Sequence, residues 1–232
     1  MTRVVITGAN RGLGLALVQQ YLKRGAEEVI GGCRNPAAAD ALADTGAEVQ
    51  ALDTGSSESI AAFAEAVGDR PVDVLFNNAG IDARAVGASE GERGALDLTE
   101  EQFRAVLDVN TLGPWLMVKS LADNLIAAEG VIVNVSSQVG SIEVAHKIGR
   151  DISYTTSKAA LNMITLKESQ VLHPLGVTVI SLHPGWIRSE MGGPSATLDP
   201  DVAATSIADL VDRLTLDNTG SFYQWDGTIH PW

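Results

Sequence analysis

Short runs of β-branched residues alternate along the whole chain with Ala- and Leu-rich stretches that are typical of helices. The predicted strands span residues 3–7, 28–32, 48–52, 72–76, 131–136, 177–182 and 221–225. The predicted helices span residues 12–24, 37–43, 57–67, 100–110, 114–127, 153–173 and 201–214. Such alternation is typical of βαβ units, and continuous Val and Ile runs indicate buried parallel strands. We therefore predict an α/β fold over residues 1–232: one doubly wound domain, about seven parallel strands and helices on both faces.

The charge balance excludes two classes of partner. The 232 residues contain 16 Lys and Arg against 29 Asp and Glu, which makes the formal net charge −13 at pH 7. A charge of this sign repels phosphate backbones and anionic lipid. We therefore expect neither nucleic acid nor a membrane surface as a partner.

Cysteine use and hydropathy bear on compartment and metal binding. Cys33 is the only cysteine, which excludes an internal disulfide and a multi-Cys metal site. No apolar run reaches the roughly 18 residues of a membrane helix. The first predicted strand begins at Arg3, which leaves no room for a signal peptide. We expect a cytoplasmic protein that holds no metal.

A glycine-rich segment joins the first predicted strand to the first predicted helix. Gly8, Gly12 and Gly14 follow Thr7 in the spacing GxxxGxG. Glycines at these positions let the backbone turn tightly and approach a pyrophosphate, while the helix N-terminus supplies oriented N–H groups. The spacing predicts a dinucleotide cradle; the alternative is a glycine-rich turn without a ligand.

The end of the second predicted strand bears on the choice of dinucleotide. A cofactor with only ribose hydroxyls is usually met there by an acidic side chain, but residues 31–35 read Gly-Gly-Cys-Arg-Asn. Arg34, together with Arg11, can instead pair with a 2′-phosphate. This pattern favours NADPH over NADH; the alternative is two solvated arginines.

A phenol and an ammonium lie one helical turn apart. Tyr154 and Lys158 are spaced i and i+4, so they share a helix face. A nearby cation lowers the pKa of a phenol and suits it to general acid catalysis. The spacing alone is also compatible with a solvated Tyr–Lys contact.

Polar residues end two other predicted strands at the sheet edge where ligands of open α/β folds bind. One strand ends in Ser136 and Ser137, and the other ends in the run Asn77-Asn78-Ala79-Gly80. With the glycine spacing, Asn110, the Tyr154/Lys158 pair and the run 183–185 (His-Pro-Gly), the chain resembles the short-chain dehydrogenase/reductase superfamily over essentially its whole length. Residues 157–163, 183–194 and 225–232 resemble the branch of C-factor-like and sniffer-like carbonyl reductases.

The resemblance implies a single-domain Rossmann fold and a role for each matched residue. Tyr154 donates the proton, Lys158 lowers its pKa and holds the nicotinamide ribose, and Ser137 orients the carbonyl. Asn110 anchors a water chain to Lys158, Asp53 meets the adenine, and Asn77 lines the nucleotide. The residues expected to touch the cofactor are Gly8, Asn10, Arg11, Gly12, Leu13, Gly14, Arg34, Asp53, Thr54, Asn78, Ala79, Gly80, Asn110, Tyr154, Lys158, Pro184, Gly185, Trp186, Ile187 and Ser189.

One departure from the family pattern concerns the substrate. The 17 residues from Ser137 to Tyr154 exceed the spacing of many relatives, and the extra residues fall in the segment 140–152. His146 in this segment either contacts substrate or is a solvated loop residue. Residues 82–98 and 191–199 read as surface loops, either lids or plain connections. We expect Cys33 and His183 to be packed strand-end residues.

Two functions from different classes fit these residues. The first is an NADPH-dependent oxidoreductase that reduces the carbonyl of a small aldehyde or ketone to an alcohol. The second is a dinucleotide-binding signalling or regulatory protein with little turnover. The resemblance also implies a homodimer or homotetramer through the helices at 114–127 and 153–173. The alternative is a monomer, as in some carbonyl reductases with an insertion before the tyrosine.

Overall fold

Seven parallel strands form the centre of the computed structural model, which describes residues 2–146 and 151–232. The strands are β1 (Arg3–Thr7), β2 (Glu28–Cys33), β3 (Glu48–Ala51), β4 (Val74–Asn77), β5 (Val131–Val135), β6 (Thr178–His183) and β7 (Ser221–Gln224). Their order in the sheet is β3-β2-β1-β4-β5-β6-β7, and every neighbouring pair is parallel. The predicted fold class is confirmed.

Helices cover both faces of this sheet. They are α1 (Gly12–Lys23), α2 (Asp40–Ala43), α3 (Ser57–Val67), α4 (Glu100–Leu107), α5 (Gly113–Ser120), α6 (Ala122–Ala128), α7 (Ile142–Ala145), α8 (Ile152–Leu172) and α9 (Pro200–Val211). One apolar cluster contains Leu17 of α1 and Ile207 of α9, and a second contains Phe63 of α3 and Met117 of α5. The five strands β1, β2, β4, β5 and β6 are buried on both faces, which explains why they lack period-two alternation, whereas the edge strand β3 is partly exposed.

The strand order changes direction between β1 and β4: β2 and β3 are added on one side of β1, and β4 to β7 on the other. β1 pairs with β2 on one side and with β4 on the other. Loops at the carboxyl ends of two such strands diverge and leave a crevice in which ligands of open α/β sheets bind. The glycine-rich segment follows β1 and the Asn-Asn-Ala-Gly run ends β4, so both lie at this crevice.

Three predicted helices are interrupted in the structure. The helix predicted at 37–43 is a 3-10 turn over Pro36–Ala38 followed by α2. The helix predicted at 100–110 ends at Leu107, and a π-helical turn over Asp108–Leu112 leads directly into α5. The N–H of Gly113 donates to the Asp108 carbonyl, and Pro114, which has no N–H, follows as the second residue of α5. The helix predicted at 114–127 divides at Leu121, and no sequence signal marks that break.

The predicted loops carry short helical structure. Within 82–98, 3-10 turns form over Ala83–Val86 and Glu90–Glu92. The segment 140–152 contains α7, and its residues 147–150 lie outside the described part of the chain. Across the described residues, no helix combines the length and apolarity that crossing a bilayer requires.

Candidate active site

The glycine-rich segment packs its backbone against neighbouring backbone. Gly8 and Gly12 have φ of +65° and +54°, a region that glycine enters without strain. A Cβ on Gly14 would lie 2.2 Å from the Gly8 carbonyl oxygen, and one on Gly8 would lie 2.9 Å from Cα of Ala79. These close approaches hold the start of α1 against the ends of β1 and β4. The geometry fits a pyrophosphate on the first turn of α1.

Asn78 and Thr7 join the two loops that flank the crevice. The Thr7 hydroxyl accepts from the backbone N–H of Asn78 at 3.0 Å and of Ala79 at 2.9 Å. The Asn78 side-chain amide donates to the carbonyls of Thr7 at 2.9 Å and Gly8 at 3.2 Å. The side chain of Asn78 therefore holds the loop after β4 against the glycine-rich segment. Contact between Asn78 and a cofactor stays a prediction.

The two candidate phosphate-binding arginines have different surroundings. Arg34 is exposed and has no ion-pair partner among residues 2–146 and 151–232. Arg11 forms an ion pair with Glu190, a residue of the loop after β6, and both side chains are largely exposed. Asp53 accepts from the N–H of Gly55 at 3.0 Å, and Thr54 behind it is buried.

The four predicted catalytic residues come from three elements. Ser137 precedes a 3-10 turn at the end of β5, Tyr154 and Lys158 lie in the first two turns of α8, and Asn110 lies in the π-helical turn. A Cβ on Gly80 would be 3.4 Å from both the Lys158 Nζ and the Asn110 Oδ1, so these two groups face the same small space. The Lys158 Nζ lies 5.8 Å from the centroid of the Tyr154 ring.

Asn110 is fixed by three hydrogen bonds. Its amide donates to the Ile81 carbonyl at 2.7 Å and to the Ser157 hydroxyl at 3.0 Å, and its Oδ1 accepts from the Ile81 N–H at 2.8 Å. The residue is fully buried. Placed in a π-helical turn, it bridges the loop after β4 to the helix that carries Tyr154. Such turns are frequent at functional sites.

The loop after β6 closes the opposite side of the crevice. Gly185 has φ of +86°, and a Cβ there would lie 2.4 Å from the Leu198 side chain. Ser189 accepts from the Gly192 N–H at 3.1 Å, and its Cβ is 3.5 Å from where a Gly12 Cβ would lie. Pro184 is partly buried and Ile187 is buried. The loop therefore meets the glycine-rich segment.

Comparisons with known proteins agree with this arrangement. The short chain dehydrogenase family model matches residues 2–198. The chain belongs to this family. It is 34% identical to the C-signal of Myxococcus xanthus over an alignment of 176 residues, and this alignment covers 74% of this chain and 99% of the C-signal. These matches identify an oxidoreductase family, as the motifs predicted.

Solved structures of carbonyl reductases share the whole fold. The NADPH-bound carbonyl reductase from chicken fatty liver aligns with a TM-score of 0.89 at 29% identity, over 100% of this chain and 99% of the other. Carbonyl reductase Sniffer of D. melanogaster aligns with a TM-score of 0.85 at 31% identity, over 100% of both chains. The predicted resemblance to the C-factor-like and sniffer-like branch is confirmed.

The electrostatics of this short-chain dehydrogenase correct one expectation. Burial raises the pKa of Tyr154 to about 12; hydrogen bonding with Ser137 lowers it, while the charges of Asp82 and Asp151 raise it further. Burial also lowers the pKa of Lys158 to about 8, and its Nζ donates to the neutral Val135 carbonyl at 2.7 Å. The expectation of a lowered pKa for Tyr154 is therefore wrong in its net direction, while a lowering contribution from Lys158 stays a prediction.

The histidines behave as packing or surface residues. His183 is buried, and its ring meets the His230 ring edge-on with centroids 5.8 Å apart. Burial, assisted by His230, lowers the pKa of His183 to about 4. His146 is exposed at the end of α7. Cys33 is buried in the apolar core, as expected. Whether His146 contacts substrate stays a prediction.

Two residues that contact the start of α8 were not predicted from the sequence. Asp151 caps α8: its Oδ1 accepts from the Tyr154 N–H at 3.0 Å and from the Ser153 hydroxyl at 2.7 Å. The second residue is Arg93, in the loop predicted at 82–98, whose backbone carbonyl accepts a hydrogen bond from the Ile152 N–H at 3.1 Å. An aspartate three residues before Tyr154 is an N-cap signal that could have been found. No sequence signal links Arg93 to α8.

Proposed function

We propose that this short-chain dehydrogenase uses NADPH to reduce the carbonyl of a small aldehyde or ketone to an alcohol. The observation that carries the proposal is the shared space between Lys158 and Asn110 beside Gly80, one helical turn from Tyr154 and at the same sheet edge as the glycine-rich segment. When bound, NADPH supplies the hydride that adds to the carbonyl carbon. The protein's own residues supply the proton and the orientation.

Tyr154 donates the proton to the carbonyl oxygen. Because its pKa is about 12, the phenol holds this proton at neutral pH. Ser137, beside it, hydrogen-bonds the carbonyl oxygen and orients it. As negative charge develops on that oxygen, two fixed donors stabilise it better than reorganising water does.

Lys158 and Asn110 support this proton transfer. Lys158 is buried with one carbonyl acceptor among the described residues, so its Nζ has donors left for the nicotinamide ribose. Asn110 holds the loop after β4 against α8, which fixes the distance between the dinucleotide crevice and Tyr154. We infer that both residues act on Tyr154 through orientation.

The preference for NADPH is supported by the side chains near the end of β2. No carboxylate occurs in residues 31–35, and Arg34 is exposed beyond that strand. The chicken fatty liver carbonyl reductase has NADPH bound. We propose that Arg34 pairs with the 2′-phosphate, assisted by Arg11 once its ion pair with Glu190 opens.

The experiment that tests this function measures NADPH consumption with a panel of aldehydes, ketones and diketones. We expect turnover with at least one carbonyl compound, and slower turnover with NADH at equal concentration. NADPH binding measured by fluorescence provides the control. Tight binding without turnover of any compound would contradict the proposal.

That contrary outcome would favour the regulatory alternative. The similarity to the C-signal of Myxococcus xanthus is the observation that supports it. A protein of that kind has no need for a proton donor, whereas this chain contains Tyr154, Ser137, Lys158 and Asn110, which together would supply and orient one. The enzyme is therefore the better supported proposal.

Assembly and location stay predictions. Leu112, Trp115 and Met163 expose apolar surface on or beside α5 and α8, which fits a homodimer or homotetramer through these helices. The cytoplasmic location and the absence of nucleic-acid and membrane-surface partners rest on composition alone.

A further inference from the structure

A cluster of four charged side chains lies between the loop after β4 and the start of α8. Asp82 and Asp151 are both buried, and Arg93 is mostly buried. The Arg93 Nη1 stands 3.9 Å from Asp82 Oδ2 and 4.0 Å from Asp151 Oδ2. Arg84 pairs with Asp82 from the other side at 2.6 Å. The guanidinium of Arg93 thus lies between two buried carboxylates.

Backbone hydrogen bonds tie the same two segments together. The Ile152 N–H, in the first turn of α8, donates to the Arg93 carbonyl at 3.1 Å. The Ala83 N–H donates to Asp151 Oδ2 at 3.0 Å, while the other oxygen of Asp151 caps α8 at Tyr154. Displacement of the loop would therefore move the cap of the helix that carries Tyr154.

We propose that Arg93 is a positioning residue, which fastens the loop after β4 to the start of α8 and offsets the two carboxylate charges that act on Tyr154. The inference deepens the proposed function, on which it rests. Removal of the guanidinium leaves Asp82 paired with Arg84 alone and Asp151 without an ion-pair partner among the described residues, so the carboxylate charges that act on Tyr154 are less compensated. Because negative charge disfavours a phenolate, Tyr154 then holds its proton more tightly.

Several charged and polar groups surround the Tyr154 phenol among the described residues. The carboxylates of Asp82 and Asp151 disfavour the phenolate, and the hydrogen bond with Ser137 favours it. The Lys158 ammonium lies over the ring. Arg93 and Arg84 compensate the carboxylates, and Glu90 pairs with Arg93 at the surface. Of these groups, only Arg93 stands within 4.0 Å of both carboxylates among the described residues.

The test compares pH profiles for oxidation of the alcohol product with NADP+. The rate rises with pH as Tyr154 loses its proton. We expect Arg93→Met to displace this rise towards higher pH by about half a unit or more. Asp82→Asn, which removes one carboxylate, displaces it towards lower pH, and the double variant lies between the two.

Two further variants distinguish an effect of the Arg93 charge on the pH profile from a general structural effect of the substitution. Arg93→Lys keeps the positive charge, so it returns the profile most of the way to that of the parent. Arg104→Met removes an arginine whose ion pair with Glu100 is exposed on α4, and it leaves the profile unmoved.

The outcomes divide cleanly. A uniform loss of rate in Arg93→Met without displacement of the profile would overturn the inference, as would an unmoved profile in Asp82→Asn. A parent enzyme that turns over no alcohol or carbonyl compound would instead refute the proposed function. In that case, hydrogen exchange at the Ile152 and Ala83 amides still tests the tether, because Arg93→Met must accelerate both and Arg104→Met neither.

Discussion

At the scale of single residues, the site depends on polar groups that the chain buries and holds in place. Lys158 and Asn110 are both almost inaccessible to solvent. Their burial is compensated by hydrogen bonds to the Val135 and Ile81 carbonyls. Groups held in this way need no reorganisation when substrate binds, which is the physical basis of electrostatic preorganisation.

Replacement of Tyr154 by Phe tests the proton donor. We expect the rate of carbonyl reduction to fall by about 10²–10⁴-fold, because the proposed proton donor to the carbonyl oxygen is lost. The measurement is the initial rate of NADPH consumption with the best carbonyl substrate. Tyr223→Phe is the matched control, since its hydroxyl only accepts from Asn218 at 3.1 Å. Parental turnover by Tyr154→Phe would exclude this mechanism.

Replacement of Arg34 by Asp tests cofactor choice. A carboxylate at this position repels a 2′-phosphate and can accept from ribose hydroxyls. We expect the ratio of kcat/KM for NADPH over NADH to fall by about 10-fold or more, as the loss of a charge-assisted hydrogen bond predicts. Arg104→Asp on α4 controls for the change in net charge. An unaltered ratio would reject Arg34 as the phosphate ligand.

At the scale of elements, the docking of α1 on the sheet depends on a missing side chain. Gly14 lies in the first turn of α1, directly against the Gly8 carbonyl and the Asn78 side-chain amide. Glycine inside a helix is ordinarily less favourable than alanine by about 1 kcal/mol. Here the close approach of helix and strand outweighs that propensity.

Gly14→Ala is therefore expected to destabilise the protein although alanine is the better helix former. The added methyl must displace the Gly8 carbonyl, since the gap is only 2.2 Å. Overpacking of this kind costs about 1–3 kcal/mol. Denaturant unfolding measures the change, with Gly91→Ala as control because a Cβ there meets nothing within 4 Å. A stabilised Gly14→Ala would show that α1 docks differently.

At the scale of the whole molecule, a polar network crosses the interface between the sheet and α8. The Asn134 amide donates to Glu168 Oε2 at 3.0 Å, and its Oδ1 accepts from Asn77 at 2.8 Å. Glu168 Oε1 and Asn77 Oδ1 have no hydrogen-bond partner among the described residues. Burial raises the pKa of Glu168 to about 8. The Glu168 carboxyl group is therefore protonated and neutral over most of the physiological pH range.

This carboxyl makes stability depend on pH in a defined direction. Its pKa is higher in the folded than in the unfolded protein, so the folded state binds more protons between pH 4.5, the ordinary pKa of a glutamate, and about pH 8. Stability consequently falls as the pH rises through that interval. We expect Glu168→Gln to stabilise the protein above about pH 8, by on the order of 2 kcal/mol, and to change little near pH 4.5. Denaturant unfolding at both pH values would contradict this if the two changes were equal.

The chain's local patterns were sufficient to predict the fold class and the family, and to single out the candidate site residues. Strand and helix periodicities are set by neighbouring residues, and the GxxxGxG and Tyr154/Lys158 spacings are short enough to be read directly. They also placed Cys33 in the core. These features depend on contacts within one element or on one turn between two elements.

The Tyr154 pKa, the π-helical turn at Asn110 and the contact of Arg93 with α8 were decided by tertiary packing. Burial depth controls the Tyr154 pKa. The π-helical turn ends next to Gly113, which packs against the backbone of Thr54 so closely that a Cβ would lie 2.4 Å from the Thr54 carbonyl oxygen. The third joins residues 58 positions apart, from Arg93 to Asp151. Desolvation and long-range charge depend on which distant segments meet, and that information is absent from the spacing of residues along one chain.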